Sequence, residues 1–341
     1  MALPLTAMLP IMAPMQSEHA HRLHQDKTLK ELRSVRAIAP LDKVFGESTI
    51  HIRVVNDPSQ EPLLASIWQP PSQFRQYRLI VFEVDGHQCV KDFLRNVEAS
   101  EAANFSAEEI VSLSERHALT CLQLEINTFL LLANILRPGS LSAEHGYAFV
   151  KNKQAETTPP FFAEHLFYAV EASQRLGWPK FFKPDLLQGW NWLRDSGALA
   201  DGIGVGHLGR ALAAVSHLTA SDLKKTSSIE LVWILLGLEA LYSRSNVGMK
   251  EQLLAKTEAL LGPRTENKKA FGVVYDFRSR LLHGDVDLPL RFTEFDAVKK
   301  FEDFHAELSR NEDLALAVLL ATLQWMVVNN TTQLNFTYAL S

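Results

Sequence analysis

Over residues 117–136 the chain runs apolar for about five helical turns without a glycine or proline, and Pro138-Gly139 then stops it. Such a stretch folds as a helix with most of its surface buried, so it needs neighbours to cover it. The sequence supplies them. Ser106-Ala107-Glu108-Glu109 predicts a helix start, with a hydroxyl cap and acids in the first turn. After a polar loop over 137–160, segments 161–176, 184–196 and 206–218 read as amphipathic helices, with joints at Asp195-Ser196-Gly197 and Ala220-Ser221-Asp222. Ser227 or Ser228 can cap the next helix, over 229–242. Helices over 251–261, 267–283, 295–308 and 311–328 follow, the first of these stopped by Gly262-Pro263. This last set predicts a bundle of four or five helices.

The N-terminal part reads differently. Segments 48–55, 63–68 and 77–84 alternate and carry β-formers, with Asp57-Pro58, Pro70-Pro71 and Asp85-Gly86 as punctuation. They predict a small sheet that either senses a ligand or partner or only packs on helices. Residues 1–15 are apolar but lack a basic start and contain Pro4, Pro10 and Pro14, a poor signal peptide. His19, His21 and His24 follow without carboxylate or thiol companions and read as a solvated polar segment. The expected fold is mainly α. A β-containing region over 1–105 and a helical region over 106–222 precede a helical bundle over 223–341, giving an α+β chain.

Composition excludes some classes. Hydrophobic residues are 47% of the 341 and charged residues 21%, so the chain is not disordered. A net charge of −5 argues against a protein that coats nucleic acid, though not against one that grips a few phosphates. Cys89 and Cys121 are the only cysteines, and no Cys/His set has zinc spacing. The expectation is a reducing, cytoplasmic setting with no metal or cofactor. The apolar runs 229–242 and 315–328 are too short to span a bilayer, so no membrane partner is expected. Gly204-Val205-Gly206-His207-Leu208-Gly209 has the Gly-x-Gly-x-x-Gly form. It follows a helical pattern rather than a strand, and Asp222 lies too near to be the ribose-binding acid. It reads as a glycine-rich turn between helices.

The chemistry concentrates at Tyr275-Asp276-Phe277-Arg278-Ser279-Arg280-Leu281-Leu282-His283-Gly284. Val274, Phe277, Leu281 and Leu282 can form a buried stripe, and Gly284 suits a helix C-cap. Arg280 and His283 share a face, whereas Arg278 and His283 stand about 140° apart, an angle a long arginine can cover. A histidine that moves protons near neutral pH beside a guanidinium that holds phosphate is what phosphodiester transfer needs. The same residues are also ordinary capping chemistry at a helix end. Five basic and two acidic residues lie between Arg264 and Arg280, with Lys268 and Lys269 as candidates to contact RNA. Glu239, inside an otherwise apolar helix, either meets an arginine, with Arg278 or Arg280 the natural candidate, or stands solvated at the edge of the apolar stripe.

Arg278-Ser279 with His283 and Gly284, preceded by an aromatic residue and Asp276, resembles the Arg-x(4–6)-His signature of the HEPN superfamily. The upstream Leu238-Glu239-Ala240-Leu241 helix is similar to one in its Apea-like branch. The resemblance covers roughly residues 225–330. It departs after Arg278, where many members carry Asn, Asp or His and this chain has Ser279. The resemblance implies a metal-independent endoribonuclease with Arg278 and His283 catalytic, and Ser279, Arg280 and Glu239 supporting. It implies a homodimer with a composite cleft, and antiphage defence through cleavage of tRNA or other RNA, with the N-terminal region receiving the trigger. It also leaves room for a non-catalytic module that binds nucleotide, RNA or a protein, and for a purely structural role.

Overall fold

The chain divides into two units, each built from two pieces of sequence: Met1–Glu164 with Asp185–Gly202, and His165–Pro184 with Ile203–Ser341. The computed structural model describes residues 3–14, 18–41, 43–61, 64, 67–68, 76–97, 105–151, 153–199, 202–220, 228–243, 248–264, 269–288 and 299–336. Among them are ten helices and six strands, a mainly α chain with one small antiparallel sheet. Residues 106–222 are shared between the two units.

The first unit holds the sheet, in the order β2 (Ala37–Ile38), β3 (Ile50–Val55), β4 (Tyr77–Asp85), β1 (Pro4–Met12), β5 (Gly146–Val150), β6 (Glu156–Thr158). Its centre is β1 (Pro4–Met12) against β4 (Tyr77–Asp85), paired over their full length. The N-terminal segment is therefore a core strand. Its register puts Ala7 opposite Phe82 and Met8 opposite Val81, so successive residues serve opposite faces, and both faces are buried. Pro10 is tolerated there for a specific reason. The Met12 N–H points away from β4, to the Ser142 carbonyl at 3.0 Å, and by alternation the nitrogen of Pro10 faces the same way. On that side the ladder to β5 (Gly146–Val150) covers only Leu5–Met8, so no hydrogen bond is lost.

β3 (Ile50–Val55) pairs β4 and β2 (Ala37–Ile38), and β6 (Glu156–Thr158) pairs β5. The predicted loop over 137–160 thus contributes two strands, because its Tyr147–Val150 portion carries β-formers on a buried edge. The predicted strand over 63–68 is not seen at its described positions. There Ile67 and Trp68 N–H groups turn back onto the Leu64 carbonyl, and Leu64 and Trp68 pack on Met8, Leu79, Val81 and Phe149.

Helices of this unit are α1 (His19–Val35), α2 (His87–Asn96), α3 (Ala107–Leu136) and α5 (Leu186–Ser196). Ser106 caps α3 as predicted, in a reciprocal box with Glu109. The histidine segment is helix, not solvated coil. His21 is buried and donates to the Gly139 carbonyl at 2.6 Å, and burial with the nearby Arg137 charge pushes His24 down to about 4. Phe82, Phe129 and Trp190 stack edge to face through the core, and Trp190 donates its indole N–H to the Ala39 carbonyl at 2.6 Å.

The second unit comprises α4 (Phe167–Leu176), α6 (Gly206–Thr219), α7 (Ser228–Tyr242), α8 (Met249–Leu261), α9 (Ala270–His283) and α10 (Lys299–Val328). Apolar on nearly every side, α7 packs against α6, α8 and α10. Gly237 permits the close approach, since a Cβ there would lie 3.0 Å from Leu319 and 3.3 Å from Ala214. The two helices expected over 295–308 and 311–328 are one within the described residues. The expected break at 309–310 is helical, and the polar Asn311 and Glu312 beyond it are buried in the bundle as part of the same helix.

The run at 315–328 therefore belongs to a longer helix. By length and composition α3 and the Glu302–Val328 part of α10 could cross a membrane. In this fold 67% and 83% of their apolar windows are buried inside the chain. The glycine-rich stretch ends one unit at Gly202 and opens α6 at Gly206, without a strand before it.

Candidate active site

Helix α9 is seated by Phe271, Val274, Tyr275, Phe277 and Leu281, all buried. Phe271 packs on Trp178 and Phe277 on Phe304. Leu282, expected in this stripe, is 55% exposed instead, because it stands five residues from Phe277, about 140° around the helix. Gly284 takes the left-handed conformation at φ 82° and closes the helix, its N–H and that of Asp285 both reaching the Arg280 carbonyl.

The carboxylate inside α7 finds its partner here. Glu239 Oε1 accepts the Tyr275 hydroxyl at 3.0 Å and lies 3.5 Å from Arg278 Nη2. The Arg278 guanidinium stacks 5.9 Å from the Tyr275 ring centre. Burial and the Glu239 charge hold the Tyr275 hydroxyl far above its ordinary value, so it stays a neutral donor to the carboxylate. Arg278 remains 34% exposed and Glu239 17%. The guanidinium has five N–H donors, and this pairing leaves it others to present outward.

Arg280 goes elsewhere, pairing with Glu307 at 3.0 Å, and Asp276 pairs with Lys250 at 2.5 Å. Ser279 and His283 are exposed, and His283 makes no hydrogen bond or ion pair among the described residues. Lys269 sits at the opposite end of α9, about 21 Å along the axis from His283. Lys268 lies outside the described residues. The chain therefore joins Glu239, Tyr275 and Arg278 and puts His283 at the open end of the same helix, with Arg280 held by Glu307 and Lys269 at the other end. Tyr275 was visible in the sequence only as a flanking aromatic. Its place three residues before Arg278 on a helix is the signal that marks it.

Other titratable groups gather in the same unit. Glu312 on α10 is buried, and desolvation together with the charges of Glu230 and Asp313 pushes its carboxyl well above the usual range. Asp313 is pushed up to about 6, by burial first, against the opposing Arg175 charge. Folded protein holds protons here that unfolded protein has released, so stability falls as pH rises through this range. Glu312→Gln keeps an acceptor for the Leu231 N–H and removes the charge. It is expected to raise stability by about 1–3 kcal/mol at pH 8 and by much less near pH 4.5. Thermal melts at both pH values measure this, and an equal shift at both contradicts it.

The first unit carries two further features. An open cleft of about 690 Å³ lies on the sheet face bearing Thr6 and Glu83, with His51, Asp85, Lys151 and Lys153 at its rim. The second is a side-chain cluster. The sequence offered no metal spacing, yet the fold brings Cys89, His117 and Cys121 together with their ligand atoms all within 4.8 Å of one another. Two of the three were legible, since His117 and Cys121 are four apart on one helix, but Cys89 arrives from a different element. Comparison with known proteins adds no relative: no family model, no curated protein and no solved structure matches this chain.

Proposed function

We propose that the end of α9 is the catalytic centre of an endoribonuclease of the HEPN type. The reading rests on the α9 sequence pattern and on one arrangement above all. Arg278 is oriented by Glu239 and Tyr275, while His283 stands exposed on the same helix. In the reaction the RNA 2′-oxygen attacks the adjacent phosphorus, and its proton passes to His283. The bond from phosphorus to the 5′-oxygen then breaks, and that oxygen takes the proton back from the His283 imidazolium. The products are a 2′,3′-cyclic phosphate and a 5′-hydroxyl end. Arg278 holds the phosphoryl oxygens as charge builds on them. No metal has to generate the nucleophile, because the substrate carries it.

A second copy of the chain would bring its own α9 to complete the cleft, and cleavage of tRNA or other cellular RNA would halt growth during phage infection. The cleft on the sheet is a place where a trigger could bind. A non-catalytic binding module is the second reading. It is favoured by one observation: both arginines already have carboxylate partners, Glu239 and Glu307.

Induced expression in a bacterial host separates the two. Wild type is expected to stop growth and leave RNA with cyclic-phosphate ends, and Arg278→Ala/His283→Ala to do neither while staying folded. If wild type leaves RNA intact both alone and under phage challenge, the binding module replaces the nuclease.

A further inference from the structure

The first unit contains a second constellation, independent of the ribonuclease reading. His117 and Cys121 lie one turn apart on α3, on a common face. Cys89 comes from α2, which packs against α3. The His117 Nε2 and Cys121 Sγ atoms are 3.6 Å apart, and the Cys89 sulfur joins them within 4.8 Å. Tetrahedral zinc, with sulfur at about 2.3 Å and nitrogen at about 2.0–2.1 Å, sets an S···N edge of about 3.6 Å and an S···S edge of about 3.8 Å. The cluster is thus near the dimensions of three corners of that tetrahedron.

We propose that Cys89, His117 and Cys121 form a binding site for a thiophilic divalent cation of the zinc class. Two sulfurs and one imidazole select zinc over magnesium or calcium, which prefer oxygen ligands. Both cysteines are thiols and release their protons to solvent on binding. Cys89 is fully buried whereas His117 and Cys121 are half-buried, which gives the ion an entry path and leaves a fourth position for water. Phe93 packs on the His117 ring, centroids 5.1 Å apart, and holds it toward the cluster. The site would also strengthen the docking of α2, in which Cys89 is the buried residue. Bound metal would tie α2 to α3 there.

The test uses the full-length protein, reduced with a phosphine, stripped with a chelator and then titrated with Co²⁺. Wild type is expected to take up one equivalent. It should develop thiolate-to-cobalt absorption with the intense visible bands of a tetrahedral site, and lose both on adding Zn²⁺. His117→Ala and Cys121→Ser, at half-buried positions, should each keep the wild-type circular dichroism and bind more than about 100-fold more weakly. Zn²⁺ should raise the melting temperature of wild type and not of either variant. Three results would each overturn the proposal. These are absence of the thiolate band at one equivalent, equal uptake by wild type and both folded variants, and a reduced protein that ignores metal while mild oxidation joins Cys89 to Cys121.

Discussion

Glu239→Ala is expected to lower RNA cleavage by about 100-fold, the scale on which slight misplacement of a catalytic group acts. Glu239 sits on α7 and does not need to touch substrate. Its part is to hold the Arg278 guanidinium from one side while the Tyr275 hydroxyl holds its own oxygen from the other. Truncation leaves both donors without their acceptor, which also costs about 1–3 kcal/mol of stability. The two effects separate with Glu239→Gln. An amide oxygen still accepts from Tyr275, so most of the stability should return. The charge that fixes the guanidinium is gone, so cleavage should stay impaired. Tyr275→Phe makes the complementary cut, keeping the ion pair. Initial cleavage rates on a defined RNA, beside urea melts of the same preparations, decide the matter. If Gln restores cleavage fully, Glu239 matters only for packing.

Trp190→Ala should remove about 3–5 kcal/mol from the first unit. Its side chain is fully buried and closes the aromatic series that runs through Phe129 to Phe82 on the sheet. The substitution opens a cavity between α3 and α5 and orphans the Ala39 carbonyl, which accepts the indole N–H at 2.6 Å. Collapse cannot fill the space easily, because Gly189 beside it already lies so close to Leu136 that a Cβ would come within 2.4 Å of it. Trp190→Phe should recover part of the loss by refilling the volume without the hydrogen bond. Equilibrium urea unfolding followed by circular dichroism measures both variants. A cost under about 1.5 kcal/mol for alanine would mean that α5 contributes little to this core.

These predictions rest on features that differ in how readily the chain discloses them. Helix ends were legible where local chemistry alone makes them, as at Ser106 with Glu109 and at Gly284. The Glu239–Arg278 pair was legible for a physical reason: a carboxylate in an apolar helix demands a cation, and few were near. The cost of burying a carboxylate does not distinguish Arg278 from Arg280, since Glu307 lies far along the sequence and only the fold brings it to Arg280. Strand β1 was hidden because burial on both faces erases alternation, and its prolines look like breakers until the unpaired side of the ladder is known. Helix α10 looked like two because the polar Asn311 and Glu312 take buried positions and so interrupt the apolar pattern. The thiol–imidazole cluster depends on helix packing, which no local pattern encodes.

The chain leaves its first unit after Glu164, returns at Asp185 and departs again after Gly202. This interleaving governs how the protein can be made and dissected. During synthesis the sheet emerges well before Trp190, so the first unit stays without a central aromatic until the ribosome has also delivered residues 165–184 of the other. A truncation at any single point has the same consequence in reverse. Ending at 164 strips α5 from the core, and starting at 203 strips α4 from the helical bundle. Neither unit can be excised as a continuous fragment, so a mutation in one is best studied in a chain that still carries the other.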